Sequence, residues 1–405
     1  MADKKYTQTG NNSKFYIDRT ARLDALMHTI ETARSTAYNA EPVVYMRVKQ
    51  PIFSSIALVV GADVHSGAAG SNAIREERAI EFVRRTCNCI YVPAGDIFNS
   101  ITKEGEDKHE DLFGNQRAIE REISLLSPIK HKIPIILDGN HDGQNGKRWV
   151  STNMSPTKHL ADALGVEHGE FGVLLNVEMH TSDYRRKSGV MSIFVSHCAG
   201  KTSGSAKSVD ITYEKAMQEL RGKGIMPDII FGGHFQANAD ATVPMEYLAY
   251  DDQGKCIGTR RKDVIVVSES TLQETSRYAL AGGYPPSDSN VYINNLTLVK
   301  NPYFNSTTRD TQSEYIVQMV RFPMFKAGSN EYTDMALEYM QNYREPTELR
   351  DEVAREFAGK PYNKQVSALS RECRDFKSAR FLLEETPLTP GPTSGSDTVS
   401  EDEGM

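Results

Sequence analysis

The sequence predicts an α/β protein with two sheets, on three observations. From Ile56 onward, short apolar runs alternate with amphipathic segments, which is the signature of β-α-β units. After Gly233 the texture turns strand-rich, with a hairpin around Asp251-Asp252-Gln253-Gly254, and this calls for a second sheet. The 405 residues are 39% hydrophobic and 25% charged, so fibrous, collagenous and wholly disordered classes are excluded. Such a length corresponds to two or three domains, or to one large domain with extensions.

Residues 1–50 read as an N-terminal helical arm, with Leu23, Leu26, Met27, Ile30 and Ala33 at helical spacing before a strand-like Val43-Val44-Tyr45-Met46. Residues 51–325 read as the main domain. Its apolar runs are Ile56 to Gly61, Cys89 to Ala94, Ile133 to Leu137, Ser192 to Val195 and Asp228 to Phe231; helices are expected at Ala73 to Arg85, Leu112 to His131, Lys158 to Leu164 and Tyr213 to Arg221. Strands follow at Val264 to Val267, Val291 to Val299 and Tyr315 to Val320. Residues 326–385 read as a C-terminal helical segment, with helices at Tyr332 to Tyr343, Glu348 to Phe357 and Asn363 to Leu383. Residues 386–405, rich in Pro, Gly, Ser and Thr and acidic without Lys or Arg, read as a disordered tail.

Each of the five early runs ends in a metal-ligand type: Asp63-Val64-His65, Gly95-Asp96, Gly139-Asn140-His141-Asp142, Ser196-His197 and Gly233-His234. Taken singly, each is most simply a polar residue in a βα turn or a helix N-cap. Five in succession differ, because α/β sheets present the carboxyl ends of their strands to a common crevice. Successive endings are roughly 30 to 60 residues apart, enough for a helical return. Mixed imidazole and carboxylate ligands suit Mn, Fe or Zn better than Mg or Ca. A pair of such cations needs a bridging ligand, and Asp96 is the candidate; the pair generates a nucleophile from water and clamps phosphate oxygens for in-line displacement.

In this order, the five motifs resemble those of the calcineurin-like metallophosphoesterase family over about residues 55 to 300, with Gly139-Asn140-His141-Asp142 the most specific element. The resemblance implies a two-sheet β-sandwich flanked by helices, four layers deep, with a dinuclear site at the strand ends. It implies that Asp63, His65 and Asp96 hold one metal and Asp96, Asn140, His197 and His234 the other, while His141 assists the leaving group or the transition state without binding metal. Two positions depart from the pattern. Asn99 stands where a further acid is common, and Gln236 stands where the second histidine of the last motif is expected, so an amide oxygen is the predicted ligand there.

The remaining features carry less chemistry. His28, His109, His131, His159, His168 and His180 lie outside the strand-end pattern and most of them are read as solvated; Cys87 and Cys89 open an apolar strand and are read as core. Five cysteines without paired spacing point to a reducing, cytoplasmic compartment. No apolar stretch is long enough to span a membrane. Net charge is −7, so any nucleic-acid contact is local; Lys360, Lys364, Arg371, Arg374, Lys377 and Arg380 cluster on one helix. The expected activity is metal-dependent phosphoester hydrolysis with two divalent ions, Mn foremost, on a phosphomonoester or phosphodiester, with nucleotides or nucleic acid the favoured class. The alternative is a weakly catalytic scaffold of the same fold working through its C-terminal helices.

Overall fold

The computed structural model describes residues 43–50, 55–99, 112, 114–142, 155–170, 172–180, 188–197, 205–220, 226–234, 238–250, 253, 256–269, 271–274, 290–301 and 315–344. All lie in the compact unit that begins at Val43. In chain order the described strands are β1 (Val43–Gln50), β2 (Ser55–Gly61), β3 (Cys89–Pro93), β4 (Ile135–Leu137), β5 (Glu167–Gly169), β6 (Gly172–His180), β7 (Ser188–Ser196), β8 (Ile229–Gly232), β9 (Ala239–Tyr250), β10 (Cys256–Ser268), β11 (Tyr292–Lys300) and β12 (Tyr315–Pro323). The described α-helices are α1 (Ala73–Arg85), α2 (Asn115–Leu126), α3 (Pro156–Leu164), α4 (Ser205–Leu220) and α5 (Asp334–Asn342).

β2 and β3 are buried at every position, as strands covered on both faces must be. They pair in parallel inside a sheet ordered β12-β11-β2-β3, and a parallel bridge from Ala94 to Leu137 continues it into the β4-β5 pair. The second sheet runs β1-β6-β7-β8-β10-β9, with β7, β8 and β10 mutually parallel. Between the sheets lies an apolar layer that includes Leu58, Val92, Leu175, Ile193, Phe231 and Leu296. On the outer face of the first sheet, α1, α2, α3 and α5 bury Phe82, Ile119, Leu160 and Tyr339. α4 covers the outer face of the second sheet with Val209, Ala216 and Leu220. The fold is therefore the four-layer α/β/β/α sandwich expected from the sequence.

Local chemistry sets the helix ends. The Asn72 side chain caps α1 by accepting from the Arg75 N–H at 3.1 Å, and Ser155 caps α3 ahead of Pro156. Gly165 closes α3 at φ 70, where a side chain would be strained. At one end of the sandwich Arg321 of β12, stacked on Tyr292 at 4.3 Å, donates at 2.8 Å to the buried Glu269 that follows β10. That ion pair ties the two sheets together.

Two boundaries need correction. Val43–Gln50, assigned to the N-terminal arm, is an edge strand of the second sheet paired in parallel with β6, because its alternating Val44, Met46 and Val48 pack on the layer between the sheets. α5, assigned to the C-terminal segment, is part of the main core: Tyr339 contacts Phe82 and Phe322, and its hydroxyl accepts from buried Asn88 at 2.8 Å. The arm helix, the helices expected after residue 344, the acidic tail and Gln236 lie outside the described residues. Cys89 is buried in the core and Cys87 half-buried beside it.

Candidate metal centre

The chain leaves β2 through Ala62 and turns abruptly. Asp63 and His65 take φ values of 50° and 48°, and Asp96 after β3 and His234 after β8 take 49° and 73°. No other described non-glycine residue has positive φ. Histidine and aspartate are among the side chains that tolerate this region best, yet each such position is strained. The strain is held by two backbone bonds across the strand ends, Asp63 N–H to Gly95 O at 3.1 Å and His65 N–H to Asp96 O at 2.9 Å, and by the Thr271 hydroxyl, which donates to Asp63 O at 2.8 Å.

The other endings are tied to the same carboxylates. Asp96 Oδ1 accepts the His141 N–H at 2.7 Å and Asp63 Oδ2 accepts the His234 N–H at 2.8 Å. Asp142 is fully buried and accepts from Ile97 N at 2.8 Å and Phe98 N at 3.0 Å, which fastens the Gly139–Asp142 turn to the loop carrying Asp96. His197 donates Nδ1–H to Ala94 O at 2.9 Å, so Nε2 faces inward, 3.1 Å from both Asp96 Oδ2 and Asn140 Oδ1.

Two groups of ligand atoms result, each with its members within 4.8 Å of one another: Asp63, Asp96, His197 and His234, and His65, Asp96 and His141. Asp96 belongs to both, as a bridging ligand must. The resemblance pairs Asp63 with His65; the geometry sets Asp63 beside His197 and His234 as well, while His65 Nε2 lies 3.9 Å from Asp63 Oδ1 and 4.0 Å from Asp96 Oδ2. Those separations are too long for hydrogen bonds. Two metal–ligand bonds of about 2 Å meeting at one cation span such a gap.

Electrostatics agree with a site built for cations. Burial, then the neighbouring His141, lowers the His65 imidazole to about 4, so it is neutral, with a lone pair to give. Its buried Nδ1 has no hydrogen-bond partner among the described residues. At His197 burial opposes the charge, but Asp96 beside it raises the imidazole to about 10. Asp96, against the effect of its own burial, is held well below the usual carboxylate range by His197 and His141. A proton on His197 Nε2 thus sits where Asp96 and Asn140 would otherwise present their oxygens to a metal ion. The residues present fit two divalent cations.

Seven of the eight residues picked out in the sequence, Asp63, His65, Asp96, Asn140, His141, His197 and His234, meet at this one place; Gln236 is the exception, outside the described residues. Asn99, buried, presents its backbone carbonyl 3.3 Å from His141 Nδ1. Sequence reading missed His168. Rather than being solvated, its Nε2 lies 2.8 Å from buried Asp138, the residue immediately before Gly139. His131 and His159 are exposed as expected.

No family model matches the chain, and no curated protein matches its sequence. Among solved structures it is similar to the calcineurin-like phosphoesterase YfkN from Bacillus subtilis, at 10% identity and a TM-score of 0.32, covering 71% of this chain and 96% of that one. At that level the likeness carries no residue roles and no substrate, so the chemistry rests on the geometry above. No described helix is long and apolar enough to cross a membrane.

Proposed function

We propose that the chain is a metal-dependent phosphoesterase of the calcineurin-like type, hydrolysing a phosphomonoester or phosphodiester with two divalent transition-metal ions, Mn foremost. The observation that carries this reading is the convergence of five strand ends on Asp96, which belongs to both ligand groups. Bound there, two cations would supply a water of lowered pKa and electrostatic stabilisation of the phosphate oxygens. The protein's own part is to place them: Asp96 spans both positions, Asp63 and His65 complete one side, and Asn140, His197 and His234 complete the other. His141, half-buried with its backbone N–H anchored on Asp96, would steady the leaving group. The basic cluster from Lys360 to Arg380 favours a nucleotide or nucleic-acid ester, on sequence alone.

The test separates binding from chemistry. Purified protein is expected to hold up to two Mn ions per chain and to hydrolyse bis-p-nitrophenyl phosphate. Asp96→Asn should lose metal and activity together, whereas His141→Ala should keep the metal and lose about 10² to 10⁴ in rate. A folded protein with neither metal nor hydrolysis would overturn the proposal. Loss of metal in His141→Ala would instead make His141 a ligand, as its grouping with His65 and Asp96 allows.

A further inference from the structure

The turn that carries Asn140 and His141 is gripped on two sides, and only one of them is the metal centre. In front, Gly139 lies so close to Asp96 that a Cβ there would collide with its backbone N and carboxyl group. Behind the turn, Asp138 is 4% exposed, and its Oδ1 accepts from Thr157 Oγ1 and from His168 Nε2. Its own N–H donates to Gly169 O at 2.9 Å. Because the Thr157 hydroxyl proton goes to the carboxylate, Ser155 Oγ donates to Thr157 Oγ1 at 2.9 Å while accepting the Lys158 N–H at 3.2 Å. Thr157 is the second residue of α3, so the carboxylate also lies at a helix N-terminus, where negative charge is favoured. Asp138 is therefore fixed to α3 and β5 at once, two residues before Asn140.

We propose that Asp138, Thr157 and His168 form a positioning cluster that sets the Asn140–His141 turn, and through it the affinity for the cation that Asn140 faces. This inference rests on the metal-dependent reading above. None of the three belongs to either ligand group; they act through the turn. With the side-chain grip behind it gone, the turn is held at the rear by the Asp138 N–H to Gly169 O bond and in front by the loop of Asp96 and by His197 against Asn140, so Asn140 is less firmly ordered before a cation binds. Groups that orient a ligand in this way typically change metal affinity by about 10- to 100-fold when lost.

Thr157 gives the sharpest test, because Thr157→Val preserves its volume in a fully buried place and removes the hydroxyl that donates to Asp138 and accepts from Ser155, while Thr157→Ser restores that hydroxyl. Mn binding, followed by calorimetry and by the change from a coupled to a mononuclear electron paramagnetic resonance signal, is the readout. Wild type should bind two ions. Thr157→Val should weaken one of them by about 10- to 100-fold and leave the other unchanged, whereas Thr157→Ser should bind like wild type. His168→Ala, at the less buried end of the cluster, should shift the same ion and stands in if Thr157→Val does not fold. Unchanged affinities in the folded variants, with only a lower melting temperature, would make the cluster purely structural and overturn the inference while leaving the phosphoesterase reading intact. A wild-type protein that binds no Mn would overturn both.

Discussion

Asp63, His65, Asp96 and His234 hold left-handed backbone at a cost of about 1 to 3 kcal/mol each. They persist there because carbonyl and carboxylate oxygens of neighbouring loops over-determine them. A different residue-scale cost sits nearby at Glu219 of α4, whose Oε1 is 3.4 Å from Ser196 Oγ and whose buried Oε2 has no hydrogen-bond partner among the described residues. Burial, only partly offset by Ser196 and Lys215, pushes this carboxyl from 4.5 up to about 7. Since the folded value is above the unfolded one, the folded state retains the proton between those two values and stability is lost as pH rises through that window. The loss is at most about 3 kcal/mol. Glu219→Gln should therefore be neutral near pH 4.5 and stabilising near pH 8, read by urea unfolding at both; a pH-independent difference would mean that the carboxyl is hydrated.

At the scale of elements, the centre needs the ends of β2, β3, β4, β7 and β8 to approach within a few ångströms, and glycine makes two of the contacts feasible. At Gly233 a Cβ would lie 2.7 Å from Ala62 Cβ, and at Gly139 it would strike Asp96 itself. Gly139→Ala should displace the Asp96 carboxylate, lower Mn affinity for both ions and destabilise the fold by about 1 to 3 kcal/mol; normal binding of two ions would mean that the turn can retreat without moving Asp96. The strands that end in ligands were legible in sequence because parallel strands deliver chemistry-bearing residues to one edge. β6 was not, since it runs antiparallel to β7 and its end points away from the crevice. β10 was read only at its buried Val264–Val267 end because Arg261 and Asp263 before it are exposed. His168 was illegible because β5 is three residues long and its partner Asp138 is distant in sequence, so no local period marks it.

For the whole molecule, the first sheet contributes Asp63, His65, Asp96, Asn140 and His141, and the second contributes His197 and His234, so the centre exists only where the sheets are packed together. Anything that binds there stabilises the folded state: with free Mn at one hundred times its dissociation constant, each ion adds about 2.7 kcal/mol. A chelator should accordingly lower the melting temperature, Mn should restore it, and Asp96→Asn should abolish the difference; a melting curve indifferent to chelation in the wild type would mean that the ligands do not hold the ions across the sheets. The sheet order has another consequence, in time. Ala57 of β2 is hydrogen-bonded beside Asn295 of β11, and a ribosome adding about 5 to 20 residues per second needs roughly ten to fifty seconds to make the chain between them. Throughout that interval a fully buried strand has an open flank, and for the last part of it every ligand residue from Asp63 to His234 has already been synthesised. The emerging chain must keep β2 from pairing with the wrong neighbour until β11 arrives, and completion of the centre waits on a strand that contributes no ligand to it.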